Sequence, residues 1–300
     1  MARYKIGPAR IVFNVLNYTF FTLFTLLCVY PLWYVFIYTI SDPALVTGTP
    51  VTFYPVGFSM YNLSRVIRLD GLAHAFFISV ARTVVGTALT VICCMLLGYV
   101  FSQENVPFRK LMYRIMVVTM YVSGGLIPTY LVIRAYGIMN TFWIYIIPPV
   151  SAYYVILIKT YIEQLPPSLQ ESALIDGASY LRIFIRIIMP LSIPIAATIG
   201  IYSAVEQWNA WFDNHIYTFT NDKLLTLQYL LYNYLTEAER MTKALEGTHI
   251  TEAMAKRAQN LTPMGVRMTV TLITVMPILL VYPFLQRYFI KGILIGAIKG

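Results

Sequence analysis

Residues 171–190, ESALIDGASYLRIFIRIIMP, decide how the rest of the chain is read. Glu171, Asp176 and Gly177 make a short polar turn, which an apolar run follows almost at once. Another apolar run, ending at Lys159, precedes it. In so apolar a chain this turn must face water or another protein, and its flanks must be buried in something larger than a protein core. Of 300 residues, 58% are hydrophobic and 12% charged, against about 25% charged in soluble domains. A bilayer accommodates that composition, and charge-free runs of about 20 residues are its signature.

Working outward from the turn, six such runs appear. The first lies within 11–40 and is expected to bend near Pro31, where a helical hydrogen bond is lost. The second lies within 73–101 and is charge-free from 83 onward, after Arg82 near the span's start. The third is 115–133, the fourth sits within 135–158, the fifth is 187–205 and the sixth 268–286. Nineteen residues of helix measure about 28 Å, the thickness of the hydrocarbon layer. The expected fold is therefore all-α, a polytopic membrane protein with six transmembrane helices. Residues 1–72 hold the first span and a loop over 41–72, 73–290 hold spans two to six, and 291–300 form a tail. The first run is too long for a signal-peptide core and no small-residue cleavage site follows it, so it reads as a retained span. Pro128, Pro148, Pro149, Pro190, Pro194, Pro277 and Pro283 punctuate the runs, either as ordinary kinks or as bends in helices that line a path.

An even number of spans puts both termini on one side. That side, with the loops between spans two and three and over 160–186, carries 12 basic and four acidic residues. The other carries 10 basic and nine acidic residues, mostly in the loop 209–265. The positive-inside rule then places both termini and the 160–186 loop in the cytoplasm of a multi-pass plasma-membrane protein.

The net charge of +9 is spread over span ends rather than gathered in a stripe, so it gives no nucleic-acid surface. Cys28, Cys93 and Cys94 lie inside apolar runs as small hydrophobes. No HExxH, GxSxG or paired-carboxylate arrangement occurs within a span, so no catalytic residue or metal ligand is expected, and His74, His215 and His249 read as structural. There is no GxxxxGK[ST] phosphate cradle either. No cofactor is expected in this chain.

Within the 160–186 loop, Pro166 and Pro167 stop a helix and Ser168 can cap the next. Ser168 and Glu171 have capping-box spacing. Leu169, Ala173 and Leu174 give that helix an apolar face, and Gly177 can take the left-handed conformation that ends it. Ser179 can begin another helix running to Pro190. A two-turn helix is unstable alone, which suggests a groove on a partner.

The run Glu171-Ser172-Ala173, Gly177 six residues after the Glu, Ile187, then Met189-Pro190, resembles the EAA loop of permease subunits of ATP-binding-cassette importers. Asp176-Gly177-Ala178 matches a common form of it. The chain departs at Ser172, where the pattern has Ala, and at Met189, where it has Leu. Trp208-Asn209-Ala210-Trp211-Phe212 and the ending 286–300 are similar to the carbohydrate-uptake branch, the smaller maltose-type permease and its complex-oligosaccharide subgroup.

The resemblance implies a type I importer permease fold. It implies that Glu171, Ser172, Ala173, Asp176, Gly177 and Ala178 couple the chain to a cytoplasmic ATPase, which binds ATP and Mg. It also implies a second homologous permease subunit forming a heterodimer, two ATPase subunits and an extracellular lipid-anchored solute-binding protein. The tail is either a frayed end or a second ATPase contact.

For the solute path, Tyr121 and Ser123 beside Gly124-Gly125, and Glu206, Trp208, Asn209 and Trp211 at the end of the fifth run, combine aromatic faces with hydrogen-bonding groups. The same residues also suit interfacial anchors. The alternative, an ion-coupled secondary transporter, needs ionisable groups near the bilayer midplane. The runs hold almost none.

Overall fold

The computed structural model describes residues 8–46, 49–69, 71–147, 150–246 and 263–297, the side chains of 238–246, 263, 282 and 284–297 excepted. Among them the chain is helical, with one isolated bridge between Ser41 and Phe58 in place of any strand. Its contacts divide it into two units, 1–69 with 233–276, and 70–232 with 277–300.

In the first unit the helix Pro8–Thr39 begins on a proline, whose missing N–H falls among the donors a helix start leaves unpaired. It runs on through Pro31 as a single element. Phe13, Tyr18, Leu23 and Leu27 all project outward from it. A helix that buries so little against its own chain needs lipid or another subunit around it. Its C-terminal end anchors a small core of Ile37, Tyr38 and Val51, with Tyr34, Val46, Val56 and Met268 packed against them. Ser41 ties this corner: its hydroxyl donates to the Ile37 carbonyl at 2.6 Å and accepts from the Val56 amide at 3.1 Å. The expected loop over 41–72 contains two short helices, Pro43–Val46 and Tyr61–Ile67.

The second unit is built on three helices, Leu72–Ser102, Ala152–Ile162 and Ile193–Asn209, packed on one another. Cys94, Met95, Val155, Ile158, Ile188 and Ile199 form its centre. Gly98 lets two helices close: a Cβ there would lie 2.9 Å from the Ile158 Cβ and 3.2 Å from the Lys159 backbone nitrogen.

Three helices are single, apolar and long enough to cross a membrane: Pro8–Thr39, Leu72–Ser102 and Met264–Val281, the last being part of the longer helix Pro263–Ala297. The other three expected spans are interrupted, so six unbroken helices are not what forms. The run 115–133 divides into Arg109–Val118 and Leu126–Ala135. Between them Gly125 takes φ +81° and its amide donates to the Ser123 hydroxyl at 3.2 Å. Pro128 then falls in the first turn of the second helix, where an N–H has no intrahelical partner anyway; it starts a helix rather than kinking one. The run 135–158 is broken after Gly137 (φ +69°), passes through a single tight turn at Phe142–Tyr145 and resumes at Ala152–Ile162, three residues beyond the expected end at Lys159. The fifth span begins at Ile193 and reaches Asn209 rather than covering 187–205, and meets the preceding helix Tyr180–Leu191 at 78°. Pro190 and Pro194 bracket that bend, each withholding one backbone donor.

Candidate functional site

The loop after Ile162 does form the short helix, over Ser168–Ile175. The capping box does not form. Pro167 occupies the N-cap, and the Glu171 amide donates to the Pro167 carbonyl at 3.1 Å, so the donor that Ser168 was expected to satisfy is already taken. The other end is as expected. Gly177 sits at φ +76°, the Ala178 amide reaches back to the Ala173 carbonyl at 2.9 Å and the Gly177 amide to Leu174 at 3.0 Å. This pair of bonds is the Schellman closure, which needs a left-handed residue where Gly177 stands.

Only Ala173 and Ala178 of this segment pack against the core of the second unit. Leu169 and Leu174, expected with Ala173 on an apolar face suited to a partner's groove, are exposed, as are Glu171, Ser172 and Asp176. Ile175 is 87% exposed. The small side chains therefore seat the helix, and the large and charged ones are left outward. Ser179 caps the next helix, its hydroxyl accepting from the Arg182 amide at 3.4 Å. That helix widens to a π turn over Phe184–Ile188, with Ile183, Phe184 and Ile188 in the core. It then reaches the bend at Ser192, which is fully buried.

Beyond the bend, a cavity of about 950 Å³ opens within the second unit. Tyr153, Tyr154, Tyr202, Glu206 and Trp208 line it, with Thr83 and Ser151 adding hydroxyls and Ile201, Ile278 and Val281 adding apolar wall. Of the six residues expected along a solute path, Glu206 and Trp208 are here. Trp208 is 7% exposed and sets its ring edge-on to Phe76 at 6.0 Å, so it is a wall residue rather than an interfacial anchor. Asn209 and Trp211 are not among the lining residues. Asn209 accepts from the Gln228 amide at 3.1 Å and Trp211 stacks on Tyr232 at 4.3 Å. Tyr121 and Ser123 lie on the break between helices, Tyr121 84% exposed, and neither lines the cavity. Sequence reasoning missed Tyr153, Tyr154 and Tyr202, whose only sequence mark is being tyrosines inside apolar runs.

Arg82 was also misread. It stands three turns inside the helix that begins at Leu72, is 3% exposed, and forms an ion pair with Asp213. Its Nε donates to Gln207 at 2.9 Å, a terminal nitrogen donates to the Ala210 carbonyl at 3.2 Å, and the guanidinium lies 4.7 Å over the Tyr145 ring. Four hydrogen bonds, two of them to the carboxylate, hold the group, which is what makes a buried guanidinium tolerable. The pair ties the second span to the segment that follows the fifth. Of the histidines, His74 contacts the Lys223 carbonyl at 2.7 Å and His215 sits among Trp211, Tyr229 and Tyr232; His249 lies outside the described residues.

Apolar helices that break around a largely apolar cavity carrying a few tyrosines and one carboxylate, with a seated helix presented on a connecting loop, fit a membrane transport subunit. The chain's family follows from comparison: residues 94–295 match the model described as binding-protein-dependent transport system inner membrane component, and the chain belongs to that family. The matched stretch includes the loop helix, the bend and most of the cavity wall. The polygalacturonan/rhamnogalacturonan transport system permease protein YtcP of Bacillus subtilis is 32% identical over 292 residues, covering 96% of this chain and 99% of that one. The protein LplC of the same organism is 32% identical over 290 residues, covering 96% and 95%. Among solved structures, a bacterial ABC transporter involved in import of the acidic polysaccharide alginate matches with a TM-score of 0.84 at 25% identity, over 96% of this chain and 100% of that one. These findings remove the ion-coupled alternative.

Proposed function

We propose that this chain is the membrane permease subunit of an ATP-driven importer that carries an oligosaccharide across the cytoplasmic membrane. The observation that carries the reading is the Ser168–Ile175 helix, held by two alanines and offering Glu171, Leu169, Leu174 and Ile175 outward. In this reading it docks on a cytoplasmic ATPase subunit, Glu171 pairing with a base there and Ile175 entering an apolar groove. Ser172, Asp176, Gly177 and Ala178 shape the contact. Movement of the docked helix passes along Tyr180–Leu191 and, through the bend at Ser192, to the helix that carries Glu206 and Trp208. The ATP and Mg belong to the ATPase, so this chain works as a rigid element with two arrangements that another subunit selects.

The carbohydrate assignment is supported by the names of the relatives and by the tyrosine- and tryptophan-lined cavity, since aromatic faces and hydrogen-bonding groups hold sugars. A second permease of the same family, two ATPase subunits and a lipid-anchored extracellular binding protein complete the machine, with both termini and the 160–186 loop in the cytoplasm. Glu171→Lys tests the docking. The variant is expected to insert normally but to lose co-purification with the ATPase and to lose uptake. Undiminished uptake would overturn the reading.

A further inference from the structure

We propose that the cavity selects uncharged oligosaccharides against uronate-bearing ones, with Glu206 as the specificity-determining residue. The inference rests on the carbohydrate-importer reading and adds a substrate class to it. Among the described lining residues Glu206 alone carries a formal charge, and none is Lys or Arg. A sugar carboxylate is ordinarily recognised by a guanidinium or an ammonium, with charge-assisted hydrogen bonds that a tyrosine cannot replace. Among the described residues no such base lines the cavity. Arg82 is one residue from the lining residue Thr83, yet its guanidinium is committed to Asp213, Gln207 and the Ala210 carbonyl.

The position of Glu206 strengthens the sign of the field. It stands in the last turn of Ile193–Asn209, where unpaired carbonyls already make the helix end negative. A carboxylate at that end runs against the helix dipole, and this one is exposed on the cavity wall. A local rule broken at a cavity wall points to function. Tyr153, Tyr154, Tyr202 and Trp208 share the wall with this carboxylate, which can accept hydroxyl protons from a neutral sugar while the aromatic side chains supply apolar contact. A uronate in the same place would bring two like charges together with no cation between them.

The test uses the complete importer, with its second permease, ATPase subunits and binding protein, in vesicles. They are offered a mixed pool of neutral oligosaccharides from glucan, xylan, galactan, mannan and arabinan, and uronate oligosaccharides from polygalacturonan and alginate. Lumen contents after ATP addition are identified by mass spectrometry. The wild type is expected to accumulate neutral species and exclude uronates by at least tenfold. Glu206→Gln is expected to raise uronate uptake at least tenfold relative to neutral uptake, the ratio being the readout whatever the neutral rate becomes. Glu206→Asp restores exclusion and controls for folding. Uronates in the wild-type lumen overturn the proposal. So does unchanged exclusion in Glu206→Gln, which would place selection elsewhere. No accumulation of any sugar while ATP is hydrolysed overturns the carbohydrate reading itself, a separate result.

Discussion

Replacing Asp213 with Asn isolates the energy of the buried ion pair. Arg82 keeps its bonds to Gln207 and the Ala210 carbonyl and its position over Tyr145, but loses its anionic partner. Removing one member of a buried pair costs about 3–5 kcal/mol, because the other charge is left uncompensated. Asp213 is 24% exposed and two neutral acceptors remain, so the lower end applies, about 3 kcal/mol, or a little over two decades in the folding equilibrium. Arg82→Met should cost less, about 2 kcal/mol, because the stranded Asp213 reaches water more easily than a stranded guanidinium does. The double variant Arg82→Met with Asp213→Leu should recover most of the loss, since a well-packed apolar pair of similar volume replaces a buried salt bridge at little cost. Equilibrium unfolding in mixed detergent micelles, read by near-UV circular dichroism, gives the four corners of the cycle. A cost below about 0.5 kcal/mol for Asp213→Asn is the behaviour of a solvated surface pair and would refute the burial argument. A double variant whose loss equals the sum of the singles would refute the coupling.

Two further outcomes follow from the geometry. Gly177→Val places a β-branched residue at φ +76° with open space around it, so the penalty is conformational, about 1–2 kcal/mol; it should weaken ATPase co-purification about tenfold while leaving membrane insertion intact. Trp208→Ala should lower substrate-dependent uptake several-fold, whereas Asn209→Ala, which faces Gln228 instead of the cavity, should leave transport parameters unchanged; equal effects of the two would contradict the wall assignment.

Hydropathy made the membrane class legible and fell short on continuity. A charge-free window measures how greasy a stretch is, and says nothing of whether its backbone stays helical. The window 115–133 is apolar throughout, yet Gly125 at φ +81° divides it, and Pro128 suits a helix start. The fifth window failed at its ends for a related reason. Arg186 and Glu206 look like span borders, but Pro190 and Pro194 move the helix start to Ile193, and Glu206 becomes part of a cavity wall. The loop helix was legible because its determinants are local: Gly177 and the spacing from Glu171 sit within about two turns. Even there, the cap was misassigned once Pro167 supplied the carbonyl that receives the Glu171 amide.

Arg82 marks the limit of local reading. Nothing within its own helix distinguishes a boundary arginine from one whose partner lies 131 residues away. A charge inside an apolar run is costly unless it is paired. An arginine three turns from a helix start therefore implies an acid brought to it by the fold. Asp213, just past the fifth span, was the available candidate of that kind, and the tie it makes has a consequence for motion. The segment after the fifth span is fastened to the second by Arg82, while the start of the fifth is bent 78° at Ser192. If the loop helix pushes on Tyr180–Leu191, the fastened end resists and the bend takes up the displacement. The wall carrying Glu206 and Trp208 would then tilt about the Arg82–Asp213 pair. Loosening that pair by Asp213→Asn should accordingly uncouple ATP hydrolysis from uptake more than it slows hydrolysis. Equal losses of both in reconstituted vesicles would show that the pair serves stability alone.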